Sequence, residues 1–132
     1  VIMAKRIREK AKARLAAKDG YPSATAKYIR ISPSKARVVM NVVRGKSVPE
    51  AIAILENTPK AACEPLVKLI NSAAANAENG KGLTKDELYV AEIRADAGPI
   101  YKRYQPVSKG RAHSIMKRTS HLTVVLDKKE EA

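Results

Sequence analysis

The sequence predicts an α+β domain with three amphipathic helices, three strands and one long protruding β-hairpin. Two patterns carry this prediction. Apolar residues recur at helical spacing through the middle of the chain. Nearer the C-terminus, two runs of alternating apolar and polar residues flank a basic segment that contains no Asp or Glu. The chain has 132 residues, the length of one ordinary domain.

The charge of the chain points to a polyanionic partner. The net charge is +13, and the excess of cations lies in two regions. Residues 1–49 carry thirteen Lys and Arg against two acids, and residues 97–126 carry six against none, whereas residues 50–96 carry five against eight. Such a distribution is typical of a phosphate-binding protein. Nucleic acid is the expected partner, and an anionic membrane surface is the competing interpretation.

The sequence offers little for catalysis, metal binding or a cofactor. Cys63 is the only cysteine, so no disulfide within the chain is expected, and we interpret it as a small, partly buried apolar residue in a reducing cytoplasm. His113 and His121 have no Cys, Asp or Glu at ligand spacing, and the Asp86-Glu87 pair suits a solvated turn. Neither a transmembrane helix nor a secretory signal is predicted.

The N-terminal twenty residues are rich in Lys, Arg and Ala and have two interpretations. They predict either a helix that ends at Gly20 or a disordered basic tail, and both allow an arm that orders on nucleic acid. Ile7 and Leu15 are too few to form an apolar face. The candidate N-terminal RNA contacts are Lys5, Arg6, Arg8, Lys10, Lys12 and Arg14.

A strand and a helix follow this segment. Residues 25–31 predict a short strand. Ser32 as N-cap and Pro33 at the first helical position begin a helix that Gly45 ends. Its apolar stripe, at i, i+3, i+4 and i+7, is expected to be buried and consists of Ala36, Val39, Met40 and Val43.

Two more helices are predicted before the hairpin. Ser47 and Glu50 have the spacing of a capping box at the start of the second helix. The third helix ends at Gly80, and Pro65 must fall in or just past its first turn or kink it. The stripe of the third helix is Leu66, Leu69, Ile70, Ala73 and Ala77.

The last two strands are predicted to pair antiparallel. In the strand that starts near Leu88, we expect Tyr89, Ala91, Ile93 and Ala95 to share one face. Residues 119–126 form its partner. If both strands continue toward residues 100 and 110, the ribbon has about 14 residues per strand and a length of roughly 45 Å. A ribbon of that length needs support from another molecule at its far end.

The basic segment of this ribbon suits RNA. Tyr101 and Tyr104 are interleaved with Lys102 and Arg103, a pattern that favours stacking on bases and binding to phosphates. Cross-strand packing of the two tyrosines within the ribbon is the equal alternative. The candidate RNA-binding residues are Arg30, Lys35, Arg37, Arg44, Lys46, Tyr101, Lys102, Arg103, Tyr104, Lys109, Arg111, Lys117, Arg118 and His121.

Three stretches resemble one known family: "YIRISPSKARVVMNVVRGKSVPEAIAIL", "NSAAANAENG" and "KGRAHSIMKRTSHLTVVL". They are similar, in this order, to the large-subunit ribosomal protein L twenty-two (universal uL twenty-two) family of bacterial type. The resemblance covers roughly residues 24–126. It implies three helices packed on a small, mostly antiparallel three-stranded sheet, with a long protruding β-hairpin.

The resemblance also implies a function. It indicates a structural constituent of the large ribosomal subunit, in the cytoplasm, that binds large-subunit rRNA, contacts neighbouring ribosomal proteins and aids assembly. The hairpin tip would line the nascent-peptide exit tunnel and meet the nascent polypeptide. No enzyme activity, cofactor, membrane partner or small-molecule substrate is implied.

The expected organisation is one domain with two extensions. Residues 1–23 are a basic extension, 127–132 a charged tail, and 24–126 the domain, with a core of 24–97 plus 113–126 and a hairpin tip at about 98–112. The runner-up function is a DNA-architectural protein with β-ribbon arms, which would need an obligate dimer. A basic nuclease is the third, and it would need a carboxylate and a divalent metal.

Overall fold

The computed structural model describes residues 2–18 and 20–129, and the side chains of 5–15 and 20–129. The helices are α1 (Ile2–Lys18), α2 (Pro33–Val43), α3 (Val48–Asn57) and α4 (Cys63–Lys81). The strands are β1 (Ser23–Ile29), β2 (Leu88–Ala97), β3 (Tyr101–Pro106), β4 (Ala112–Lys117) and β5 (Ser120–Lys128). The predicted α+β class is confirmed, with one helix more than the three predicted, because the N-terminal segment forms α1.

The body of the molecule is a three-stranded antiparallel sheet covered by helices. The strand order is β1-β5-β2, with β5 in the centre. α4 packs on β1 and β5, whereas α2 and α3 pack on β2. The core between the two layers is aliphatic and contains Met40, Leu55, Leu66, Ile70, Leu88, Ile93, Leu122 and Leu126, all fully buried.

α2 begins as predicted. Ser32 is the N-cap residue in extended conformation and Pro33 is the first helical residue. The helix ends at Val43, and Gly45 follows with a φ of 76°. Gly45 N donates to Val90 O at 2.9 Å, and this bond attaches the turn after α2 to β2. The predicted stripe is confirmed, since Ala36, Val39, Met40 and Val43 are all buried.

The predicted capping box of α3 is wrong. Ser47 is the N-cap residue but makes no side-chain capping bond. Glu50 instead accepts a hydrogen bond from Lys46 Nζ at 2.9 Å, because the lysine one residue before the cap competes for the carboxylate. A capping box does form at the short 3₁₀ turn Lys85–Glu87, between Thr84 and Glu87.

α4 differs from the prediction at its end. The helix continues past Gly80 to Lys81, and Gly82 terminates it with a left-handed φ of 65°. The prediction that Gly80 ends the helix is therefore wrong, although its stripe of leucine, isoleucine and alanine is buried. Pro65 is the third helical residue, in the first turn, where no intrahelical N–H is needed.

The exposure pattern of β2 changes phase at a β-bulge. The pairing with β5 shifts register between Val90 and Glu92. Leu88 and Val90 are buried before the bulge, and Ile93 and Ala95 are buried after it. The expectation that Tyr89 and Ala91 share a face with Ile93 and Ala95 is wrong, because the extra residue moves the later side chains to the other face.

β1 lies two residues earlier than predicted. It spans Ser23–Ile29, and its pairing with β5 is irregular between Ala26 and Ile29. Tyr28 lies in this irregular stretch with a φ of 58°. Arg30 and Ile31, which were expected in the strand, form the corner between β1 and α2.

The long hairpin consists of two ladders in succession. β2 pairs with β5 from Leu88↔Lys128 to Ala97↔Ser120, which confirms the predicted antiparallel pairing. β3 then pairs with β4 from Tyr101↔Lys117 to Pro106↔Ala112. A turn that contains the 3₁₀ residues Ser108–Gly110 closes the second ladder.

A joint of five residues connects the two ladders: 98–100 on one strand and 118–119 on the other. Gly98 N donates to Thr119 O at 2.9 Å, and Thr119 Oγ1 donates to Pro99 O at 2.6 Å. A Cβ atom on Gly98 would lie 2.5 Å from Thr119 Oγ1. The joint therefore requires glycine at position 98 for close approach of the two strands.

Candidate nucleic-acid interface

The second ladder has no contact with the core. Every side chain from residue 101 to residue 118 is exposed. The stretch carries six Lys and Arg and no Asp or Glu. A two-stranded ribbon that buries nothing gains little stability from its own side chains. Its composition suits a surface that binds an anion, and its exposure leaves every cation accessible.

The pairing of β3 with β4 sorts the side chains onto two faces, because directly opposed residues share a face. Tyr101 and Arg103 lie on one face with Lys117, whereas Lys102 and Tyr104 lie on the other. The ribbon is therefore cationic on both faces. The two tyrosines are on opposite faces and do not pack on each other. Tyr104 is 66% exposed, and its stacking on a base stays a prediction.

The tip adds two more cations beyond the last ladder pair. Lys109 has a left-handed φ of 59° and Gly110 one of 70°. These two residues reverse the chain in a short turn, and Val107 N donates to Arg111 O at 2.9 Å to close it. Lys109 and Arg111 are both exposed at this end. The tip thus presents two positive charges at the point farthest along the chain from the sheet.

Two predicted RNA-binding residues lie at the base of the hairpin and have partners within the protein. The guanidinium of Arg30 lies over the ring of Tyr101, 4.8 Å from its centroid, which is a cation–π contact. His121 is half-buried, and its Nδ1 accepts a hydrogen bond from Tyr28 N at 3.0 Å. The His121 ring also meets the Tyr28 ring edge-on at 4.9 Å. His121 therefore supports the irregular end of β1.

Two arginines of the α2 region bind backbone carbonyls of β2. Arg37 donates to Ala95 O from Nε at 3.2 Å and from Nη2 at 2.8 Å. Arg44 donates from Nη2 to Ile93 O at 2.9 Å. Both arginines remain exposed as residues, and these bonds hold the α2 region on the sheet. Sequence reasoning missed this role, because no local signal indicates which carbonyl will face a cation.

Within residues 20–129, the carboxylates lie on the helices, the sheet and the 3₁₀ turn, and several are paired with cations. Arg94 contacts Glu92 at 3.2 Å and Asp96 at 3.6 Å on β2. On α4, the hydrogen bond and the charge of Lys68 lower the pKa of Glu64 below its ordinary value. At the 3₁₀ turn, hydrogen bonds from the backbone and side chain of Thr84 lower the pKa of Glu87. The lowered pKa values keep Glu64 and Glu87 ionised at neutral pH, and neither residue lies on the second ladder.

A family model described as "Ribosomal protein L22p/L17e" matches residues 24–127. The chain belongs to this ribosomal protein family. The Large ribosomal subunit protein uL22 of Clostridium novyi (strain NT) is 55% identical over 103 residues, which cover 78% of this chain and 93% of that relative. The resemblance found in the motifs is thereby confirmed. A ribosomal protein of the bacterial uL22 family resides in the ribosome, in the cytoplasm.

The family match begins at Ala24, the second residue of β1, and leaves α1 outside it. All side chains described in α1, residues 5–15, are exposed, including the apolar Ile7 and Leu15. At helical spacing, Lys5, Arg8 and Lys12 follow one side while Arg6, Lys10 and Arg14 follow another. Over residues 5–15 the helix is therefore cationic around much of its circumference, and no apolar face of this stretch is buried against the body.

Two other kinds of site are absent from the described part of the chain. Within residues 2–18 and 20–129, no helix is long and apolar enough to cross a membrane. In the same residues, no three His, Cys, Asp or Glu side chains come together as ligands for a metal ion. Cys63 is buried at the start of α4, as its interpretation as an apolar residue predicts.

Proposed function

We propose that the chain is a structural constituent of the large ribosomal subunit that binds large-subunit rRNA through its long hairpin and the basic surface beside it. The observation that carries this proposal is the exposed second ladder, with cations on both faces and no carboxylate over residues 97–126. Membership of a ribosomal protein family supports RNA as the polyanion. The protein acts by binding and shape, and no chemical step is assigned to it.

The two-sided charge of the ribbon indicates how it meets RNA. A protein that rests on a nucleic-acid surface needs cations on one face only. Here Arg103 and Lys117 point to one side and Lys102 to the other. A ribbon of this kind is suited to a passage between RNA segments, where phosphates surround it and counterions are released from both sides. Neighbouring ribosomal proteins are expected to contact the less cationic surfaces of the body.

The proposal also assigns a role to the hairpin tip and to α1. Lys109 and Arg111 at the tip would line the nascent-peptide exit tunnel and lie beside the nascent polypeptide. α1 would lie along RNA as a basic helix that RNA stabilises, because most helical stability comes from tertiary packing and the described side chains of α1, residues 5–15, are all exposed. Binding of several rRNA segments by one chain would aid assembly of the subunit.

The test is equilibrium binding of the chain to large-subunit rRNA over a range of salt concentration. Counterion release predicts a linear fall of log K with log salt, and 6–10 phosphate contacts would weaken binding about 10³–10⁵-fold between roughly 50 and 200 mM. Loss of one phosphate contact in Lys102→Gln should make the slope shallower by about 0.7–0.9. An affinity that does not change with salt would refute the proposal.

DNA architecture is the alternative, and the size of the protein in solution separates the two. A DNA-bending protein with ribbon arms would be an obligate dimer with a large apolar interface. Sedimentation equilibrium of the free chain should give the monomer mass of 14.4 kDa. A stable dimer that bends duplex DNA would favour the alternative over the ribosomal function.

A further inference from the structure

A basic cleft opens between the start of α2 and the base of the hairpin. Its volume is about 420 Å³. One wall comes from the corner between β1 and α2, and the other from the end of β4 and the joint that follows it. The lining residues are Arg30, Ser32, Lys35, Met116, Lys117 and Arg118.

The chemistry of the cleft favours an anion. Four of its six lining residues are cations and none is a carboxylate. Within the described part of the chain, none of these four cations forms an ion pair. Four positive charges around one small volume repel each other in the free protein, and an anion in the cleft removes that repulsion. Arginine and lysine together offer both the forked and the point-charge donors that phosphate accepts.

The start of α2 adds to the positive potential of the cleft. The side chain of Ser32 caps no backbone N–H of the first turn, and its Oγ lies 2.9 Å from the Oγ of Ser34, the second helical residue. Pro33, at the first helical position, has no N–H group. The N–H groups of the first turn and the helix dipole of this 11-residue helix therefore reinforce the four cations without a competing cap.

The cleft lies where the second ladder joins the body, so an anion bound there would contact both parts of the molecule. Arg30 belongs to the body, and its guanidinium already lies over Tyr101, the first residue of β3. Arg118 belongs to the joint between the ladders, and Lys117 is the last residue of β4. An anion that binds both walls would tie the second ladder to the first helix of the body.

We propose that this cleft binds a backbone phosphate of large-subunit rRNA and that the bound phosphate fixes the direction of the hairpin relative to the sheet. The inference rests on the proposed function and assigns one phosphate-binding site within it. Without the phosphate, the direction of the second ladder depends on the two hydrogen bonds between Gly98, Pro99 and Thr119 and on the contact between Arg30 and Tyr101.

The first experiment measures affinity for large-subunit rRNA in the full chain and in charge variants. Arg30→Gln and Arg118→Gln each remove one cation from the cleft. Lys60→Gln removes the same charge from the loop between α3 and α4 and is the matched control. We expect each cleft variant to bind about tenfold more weakly with a salt slope shallower by about 0.7–0.9, and the control to bind as the wild type does.

The second experiment measures the direction of the hairpin itself. Spin labels at Ser108→Cys in the tip and Ala53→Cys on α3, in a Cys63→Ser background, report the distance between hairpin and body. Saturation with rRNA should narrow the distance distribution in the labelled chain and in the same chain with Lys60→Gln. The distribution should stay broad in the labelled chain with Arg118→Gln, even when rRNA saturates it.

The outcomes separate the two proposals. If the wild type fails to bind rRNA, the proposed function fails and the cleft inference fails with it. If the wild type binds rRNA but the cleft variants match Lys60→Gln in affinity and in distance distribution, the cleft inference alone is overturned. Circular dichroism melts of every variant identify any loss of affinity that arises from unfolding.

Discussion

Single residues at the joint determine how the hairpin leaves the body. Gly98 is close to Thr119, whose hydroxyl also donates to the carbonyl of Pro99. No positive φ explains the glycine at this position, so the close approach of Thr119 does. Gly80, within α4, offers a contrast, because a Cβ atom there would meet no atom within 4 Å.

We predict opposite effects of the same substitution at these two glycines. Gly98→Ala should lower the free energy of unfolding by about 1–3 kcal/mol, because the methyl group overlaps Thr119 Oγ1 and the joint must open. Gly80→Ala should raise it by up to about 1 kcal/mol through helix propensity. Urea unfolding measures both values. Equal effects at the two positions would contradict the close contact at the joint.

Glu87 gives the fold a defined dependence on pH. Its Oε2 accepts hydrogen bonds from Thr84 N at 3.0 Å and Thr84 Oγ1 at 3.1 Å, and these bonds lower its pKa from an ordinary value of 4.5. A lowered pKa in the folded state means that ionised Glu87 stabilises the fold above pH 4.5. This stabilisation is lost as the pH falls through the lower, folded-state pKa.

The capping box can be tested by substitution of this one carboxylate. Glu87→Gln should remove the part of the stability loss that occurs below pH 4.5. Asp86→Asn removes the neighbouring carboxylate and should leave that part in place. The measurement is the free energy of unfolding from urea titrations at a series of acidic pH values. An unchanged pH profile in Glu87→Gln would show that the bonds to Thr84 do not stabilise the fold.

At the scale of elements, the spacing of apolar residues predicted the helices. It failed where contacts with other residues determine the local structure. The predicted burial of the α2 stripe was correct, because the 3.6-residue spacing of its apolar residues depends on the sequence of the helix alone. The phase of β2 was wrong because the bulge at Val90 and Glu92 depends on pairing with β5. The α3 capping box was wrong because Lys46 binds Glu50, and sequence spacing does not rank these two competitors.

The candidate site shows the same division. The exposure of the hairpin tip could be predicted from its run of cations without acids, because Lys and Arg without an acidic partner are almost never buried in a core. The bonds of Arg37 to Ala95 O could not, because they join residues 58 positions apart. A run of cations thus predicts a basic surface, whereas the fold determines which of them also hold the body together.

Two adjacent valines of α2 test whether burial of its apolar stripe contributes to the free energy of unfolding. Val43 is fully buried, whereas Val42 is 55% exposed on the same helix. Val43→Ala should lower the free energy of unfolding by roughly 1.5–3 kcal/mol, from lost burial and the cavity it leaves. Val42→Ala should change it by less than about 0.5 kcal/mol. Thermal or urea unfolding provides the comparison, and similar losses at both positions would contradict the packing of α2.

At the scale of the whole molecule, stability and binding are assigned to different parts of the chain. The sheet, the helices α2, α3 and α4, and Ala62 just before α4 contain the whole buried core of the described residues. The second ladder and the described side chains of α1 contain no buried residue and carry cations. Under the proposed function, the chain folds through its body and binds rRNA through its extensions, so we expect substitutions to alter one property without the other.

Deletion of residues 1–18 tests this separation directly. The truncated chain should bind large-subunit rRNA more weakly and with a shallower salt slope, because up to six described cations of α1 are lost. Its free energy of unfolding should stay within about 0.5 kcal/mol of the full chain, since the described α1 side chains are all exposed. A large loss of stability would show that α1 packs on the body.

The central claim is that the second ladder, which contains no Asp or Glu, is embedded in large-subunit rRNA. Ultraviolet crosslinking of ribosomes that contain this chain, followed by mass spectrometry of the peptides attached to RNA, tests it most directly. We predict that the crosslinked peptides include residues from both faces of the second ladder, such as Arg103 and Tyr104, together with the tip. Absence of the chain from large subunits, or crosslinks restricted to the body, would contradict the claim.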